Sequence, residues 1–153
     1  VVKRKVRHRP LNVVFKVDAW DFHIGVSPRW KHTVRDVSYE ESMTLEVCGG
    51  IIYPERIPTV FRNSARLHVI GKRGFAAQQF ANAPESVGYF KSERTCIDAS
   101  GWMDVDFFPA ILSILNGPGP CFTTMKLDWP VHRSGDVMSF SFDRTFDPDN
   151  FAS

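Results

Sequence analysis

The chain has 153 residues, 43% of them hydrophobic and 24% charged. These are the proportions of an ordinary globular domain, and they exclude a disordered, collagen-like or coiled-coil chain. The length suits one domain that needs no disulfide or metal staple to fold. With 19 Lys plus Arg against 17 Asp plus Glu, the formal charge of +2 does not by itself point to a polyanionic partner.

The charge is unevenly placed. Residues 1–10 carry Lys3, Arg4, Lys5, Arg7 and Arg9 with no acid, whereas acids outnumber bases in the rest of the chain. Such a segment reads as a solvated arm or as an edge strand whose cations discourage pairing, with contact to nucleic acid as the alternative.

From Leu11 the apolar residues alternate on odd numbers (Leu11, Val13, Phe15, Val17, Ala19), then switch to even numbers at Trp20, Phe22, Ile24 and Val26. A one-residue slip turns every side chain to the other face, so the switch predicts a bulge or bend near Asp18–Asp21, in one long bent strand or between two strands meeting at a corner. Ser27-Pro28 is expected to end it. Residues 29–42 show weak periodicity and are expected to be loop or a single helical turn. Met43, Leu45 and Val47 alternate again, and Gly49-Gly50 before Ile51-Ile52-Tyr53 predicts a tight hairpin turn. Ala65, Leu67 and Val69 predict a strand that ends at Gly71-Lys72-Arg73-Gly74. Phe75–Ala81 has good helix formers but room for no more than two turns before Asn82-Ala83-Pro84.

Val87–Ile97 and Trp102–Asp106 read as short strands separated by a turn at Asp98-Ala99-Ser100-Gly101. Phe107–Asn116 is the one convincing helix. Its residues Phe108, Ile111, Leu112 and Leu115 share a face, Asp106 is the expected cap, and Gly117 suits a left-handed terminating position. Cys121, Thr123, Met125, Leu127 and Trp129 form one face of a following strand, and Met138, Phe140, Phe142 and Phe146 one face of the last, with a tail over residues 147–153. No apolar run reaches the ~18 residues of a membrane-spanning helix.

Short strands at this spacing predict a mainly β, antiparallel sandwich or barrel over residues 11–146 with one short helix packed on it, α+β being the alternative. Strand-helix-strand units are few, and neither a Gly-x-Gly-x-x-Gly nor a Walker sequence is present, so a nucleotide fold of that kind is not expected.

Candidate chemistry is dispersed. The histidines His8, His23, His32, His68 and His132 stand singly without metal-ligand spacing, and no metal or cofactor is expected. Asp104 and Asp106 would lie about 7 Å apart on one strand face, a spacing suited to a divalent ion or an acid/base pair, although Asp106 already serves as the expected helix cap. Cys121 and His132 would make a thiol-imidazole pair if the last hairpin brought them together. Three cysteines, Cys48, Cys96 and Cys121, make no disulfide framework and fit a reducing compartment, so a soluble cytoplasmic domain is expected. Each is read first as an apolar filler. The tryptophans Trp20, Trp102 and Trp129 are read as core, and Trp30 as exposed in a basic loop.

The leading expectation is a non-catalytic binding or protein-interaction domain, with an unknown protein or small ligand held near Arg29, Trp30, Lys31, Lys72 and Arg73. Nucleic-acid association through the basic arm is the alternative. A small hydrolase-type enzyme using Asp104, Asp106, Cys121 or His132 is the second, and no membrane partner is expected.

Overall fold

The computed structural model describes residues 9–30, 37–56, 63–74, 86–94 and 96–151, with residues 27–30 and 37–40 described as strand backbone alone. Among the described residues eight strands occur in chain order: β1 (Leu11–Lys16), β2 (Ala19–Trp30), β3 (Val37–Tyr53), β4 (Ser64–Gly71), β5 (Gly88–Ser92), β6 (Ile97–Met103), β7 (Phe122–Leu127) and β8 (Ser134–Asp143). The helix α1 (Phe108–Asn116) lies between β6 and β7 and is preceded by a 3-10 turn at Val105–Phe107.

Seven of the strands close into a barrel, in the order β1-β7-β8-β5-β6-β4-β3 and back to β1. Directions cannot alternate around a ring with an odd number of strands, so at least one neighbouring pair must be parallel. That pair is β4 and β6, with Ala65 opposite Ile97 and Gly71 opposite Met103. The antiparallel barrel with one short helix is therefore correct apart from this seam.

The parity switch in the first strand has a direct cause. β1 and β2 follow one another along the same edge of β3, β1 opposite Ile51 and Tyr53 and β2 opposite Val37–Cys48. They are joined by a corner at Val17-Asp18, where Val17 N donates to Cys121 O and Asp18 N to Cys48 O. The expected turn at Gly49-Gly50 does not exist, because β3 runs through both glycines. A Cβ on Gly49 would collide with the carbonyl of Lys16, so this glycine admits the corner of the neighbouring strand.

The ladder of β2 and β3 also runs through the segment expected to be loop, to Trp30 opposite Val37. Backbone pairing already registered inside the barrel extends without an alternating apolar face. Ile24 and Val26, expected on a buried face, are exposed on this projecting ribbon.

Asp98-Ala99-Ser100-Gly101, expected to be a turn, lies inside β6. Its small residues Ala99 and Gly101 point inward and are buried, while Asp98 and Ser100 alternate outward. The actual reversal between β5 and β6 is at Glu93–Cys96, closed by Glu93 N donating to Cys96 O.

The barrel interior holds Phe15, Leu45, Val47, Leu67, Val69, Phe90, Ile97, Met125 and Leu127, all inaccessible to solvent. Each such side chain stabilises the fold by about 1.5–3 kcal/mol relative to exposure. Helix α1 covers one end through Phe108 and Ile111, and the Phe108 ring lies 5.7 Å from that of Phe22. Phe151, from the 3-10 turn after β8, packs 5.2 Å from Tyr53 and 6.0 Å from Phe146.

The helix termini differ from expectation in two respects. Asp104 rather than Asp106 is the capping carboxylate, serving the 3-10 turn, and α1 begins without a side-chain cap. Gly117 has an extended backbone, φ −73°. It makes room for Arg144, whose guanidinium donates to Pro118 O at 3.0 Å and to Ser113 O at 3.5 Å, neutralising carbonyls at the helix end. Among the described residues no helix is long and apolar enough to cross a membrane.

Candidate functional site

The site follows from where the barrel wall opens. β5 pairs with β8 only as far as Gly88 opposite Val137, and a register shift in β8 turns the strand as it passes that point. Val87 N still donates to Val137 O, and Trp102 N to Val87 O. Beyond that point β8 pairs only with β7 among the described residues.

A cleft of about 290 Å³ occupies the gap, lined by Val87, Trp102, Met103, Asp104, Phe107, Ser139 and Phe140. Three of these seven are aromatic, one is acidic and none is basic. The Phe140 ring reaches its place because Gly101 has no side chain, since a Cβ there would come within 2.5 Å of Phe140 Cε1. Trp102 is half-buried, and its ring lies 6.0 Å from that of Tyr89, which is 56% exposed. Phe107 is 59% exposed at the helix entrance, one residue from the buried Phe108.

Asp104 is held in place by backbone donors. Its Oδ1 accepts from Asp106 N at 3.0 Å, and its Oδ2 from Gly74 N at 3.1 Å. Lys72 N donates to Met103 O at 2.8 Å. The Gly71–Gly74 turn therefore buttresses two residues of the cleft. Arg73, on that turn, lies 3.0 Å from Glu41, whose hydrogen bond and charge raise the guanidinium pKa.

The other sequence candidates are dispersed. Asp106 is exposed, and no carboxylate pair is set up with Asp104 beyond the turn they share. Cys121 is buried just before β7, while His132 lies beyond the other end of that strand, so the strand separates them by about 20 Å. Burial and the Asp143 carboxylate push the Cys121 thiol pKa up, with Arg144 opposing them, which is the wrong direction for a nucleophile. His132 and Arg133 occupy the left-handed region, φ 52° and 67°, in the two-residue turn between Val131 and Ser134.

Arg29 and Trp30 end β2 opposite Ser38 and Val37, and their side chains lie outside the described residues. So do Lys31 and, in the arm, Lys3, Arg4, Lys5 and Arg7. Arg9 is exposed.

One cluster has no counterpart among the sequence expectations. His68 on β4 lies between two carboxylates on the neighbouring strands, with Nδ1 3.3 Å from Glu46 and Nε2 3.2 Å from Asp98, and Arg66 stands 3.5 Å from Glu46. Both ring nitrogens therefore face a carboxylate of a neighbouring strand. Among the described residues no three His, Cys, Asp or Glu side chains are grouped to hold a metal ion.

Compared with protein-family models, with curated proteins and with solved structures, the chain matches none.

Proposed function

We propose that the chain is a non-catalytic binding domain whose ligand, a small molecule or a side chain of a partner, enters the cleft between β6, the 3-10 turn and β8. The observation that supports this reading is the lining itself. Trp102, Phe107 and Phe140 surround a single carboxylate in a gap of the barrel wall. Apolar, aromatic walls with few polar groups are the usual composition of a ligand pocket.

The titratable residues weigh on the same side. Cys121 and His132 stand apart, one before β7 and the other beyond its far end. The Gly71–Gly74 turn, which carries Lys72 and Arg73, adjoins the cleft through its backbone, Lys72 N donating to Met103 O and Gly74 N to Asp104.

The test is a fragment screen read by thermal shift and by tryptophan fluorescence on the intact chain and on Trp102→Leu. Fragments that stabilise the intact protein should lose at least tenfold in affinity in the variant, whose unliganded melting midpoint stays within a few degrees. Affinities that survive the substitution place the site elsewhere.

A further inference from the structure

The lining of the cleft also carries information about charge. Of the seven residues, Trp102, Phe107 and Phe140 present π systems, Asp104 presents a carboxylate, and Lys, Arg and His are absent. An aromatic face is negative at its centre, so a ring that turns its face to a cavity attracts a cation. Trp provides the strongest such attraction, and it strengthens as water is excluded. The carboxylate has the same sign of effect.

The hydrogen bonds from Asp106 N and Gly74 N fix Asp104 in place without neutralising it. Among the described residues an anion or phosphate would meet one carboxylate and no basic side chain in the lining. Arg73, on the adjoining turn and outside the lining, is paired first with Glu41 and attracted more weakly by Asp106 and Asp104.

Size narrows the class further. At about 290 Å³ the cleft lies at the lower limit of ligand pockets, which suits a compact head group. A primary ammonium or a guanidinium would need hydrogen-bond acceptors for all its donors. Among the described residues the only other polar side chain in the lining is the hydroxyl of Ser139. A fully alkylated ammonium has no N–H to satisfy, and its methyl groups match the apolar walls.

Resting on the binding role proposed above, we infer that this cleft accepts a quaternary ammonium head group, held by Trp102, Phe107 and Phe140 and by the charge of Asp104. The same chemistry occurs as a free small molecule and as a trimethylated lysine of another protein.

The experiment compares choline with 3,3-dimethylbutan-1-ol, which has the same shape without the charge, by titration followed in the amide NMR spectrum of the full chain. Choline should bind about tenfold more tightly, a ratio within the usual range for a cation over aromatic faces. Phe107→Leu, at an exposed position, should lower choline affinity severalfold. Asp104→Asn should do the same while leaving the neutral analogue unchanged, which separates loss of charge from loss of fold.

Equal affinity for the two compounds overturns the inference and leaves the binding role standing. Failure of both to shift the signals of Val87, Met103, Asp104 and Ser139 overturns the inference together with the cleft's role for compounds of this shape. A peptide carrying one trimethyl-lysine supplies the last arm. Tighter binding than choline assigns the head group to a protein partner, and weaker binding assigns it to a free compound.

Discussion

The Phe140 ring on β8 lies against the bare α-carbon of Gly101 on β6, so closely that a methyl group at Gly101 would come within 2.5 Å of it. This contact sets one wall of the cleft. Gly101→Ala should force the ring off its rotamer, costing about 1–3 kcal/mol as over-packing does. Chemical denaturation measures the cost. A neutral substitution would mean that Phe140 moves freely and does not define the wall.

Asp104 connects the cleft to the β4 turn by accepting from Gly74 N while it caps the 3-10 turn through Asp106 N. Asp104→Ala should destabilise the domain by about 1 kcal/mol, the usual loss for a cap. Amide exchange at Gly74 and Asp106 should rise with it. Unchanged exchange at both would show that the carboxylate is not their acceptor in solution.

The Cys121 thiol is held protonated by burial and by Asp143, against the opposing charge of Arg144. A group whose folded-state pKa is raised keeps its contribution to stability below the unfolded value and loses it as pH climbs through the folded one. Stability should therefore fall on the alkaline side, and less so in Cys121→Ser. Thiol titration at mildly alkaline pH should label Cys48 and Cys96, which are only half-buried, well before Cys121. Labelling of Cys121 first would contradict its assignment as core.

His132 and Arg133 both adopt left-handed backbone in the β7–β8 turn, a conformation for which Asn-Gly is the preferred pair. The double substitution His132→Asn with Arg133→Gly should stabilise the protein by roughly 1 kcal/mol, since the left-handed region costs ordinary residues about 1–2 kcal/mol each. The rise in unfolding midpoint tests this directly. A loss of stability would mean that the imidazole makes contacts the turn needs.

The barrel was legible because its inner faces follow period two: Val13 and Phe15, Leu45 and Val47, Leu67 and Val69, Met125 and Leu127 alternate as written and are buried as expected. The glycines were not. Gly49 and Gly101 carry the local signature of turn residues, yet each lies inside a strand where a neighbouring backbone or ring comes too close for a side chain, a relation between distant segments that local pattern does not carry. The cleft was hidden for the same reason, because Trp102 and Phe140 meet only through long-range pairing. One signal was available. Phe107 stands off the face made by Phe108, Ile111, Leu112 and Leu115, so a large aromatic at the helix start had no core to enter.

The central claim is that ligand binding belongs to the gap between β6 and β8 rather than to the polar surface around His68. Amide NMR shifts mapped during titration with a panel of small aromatic and alkylammonium compounds test it most directly. Shifts should concentrate at Val87, Met103, Asp104, Phe107 and Ser139 and disappear in Trp102→Leu. Shifts concentrated instead at His68, Asp98 and Ser100, or unchanged by that substitution, would contradict it.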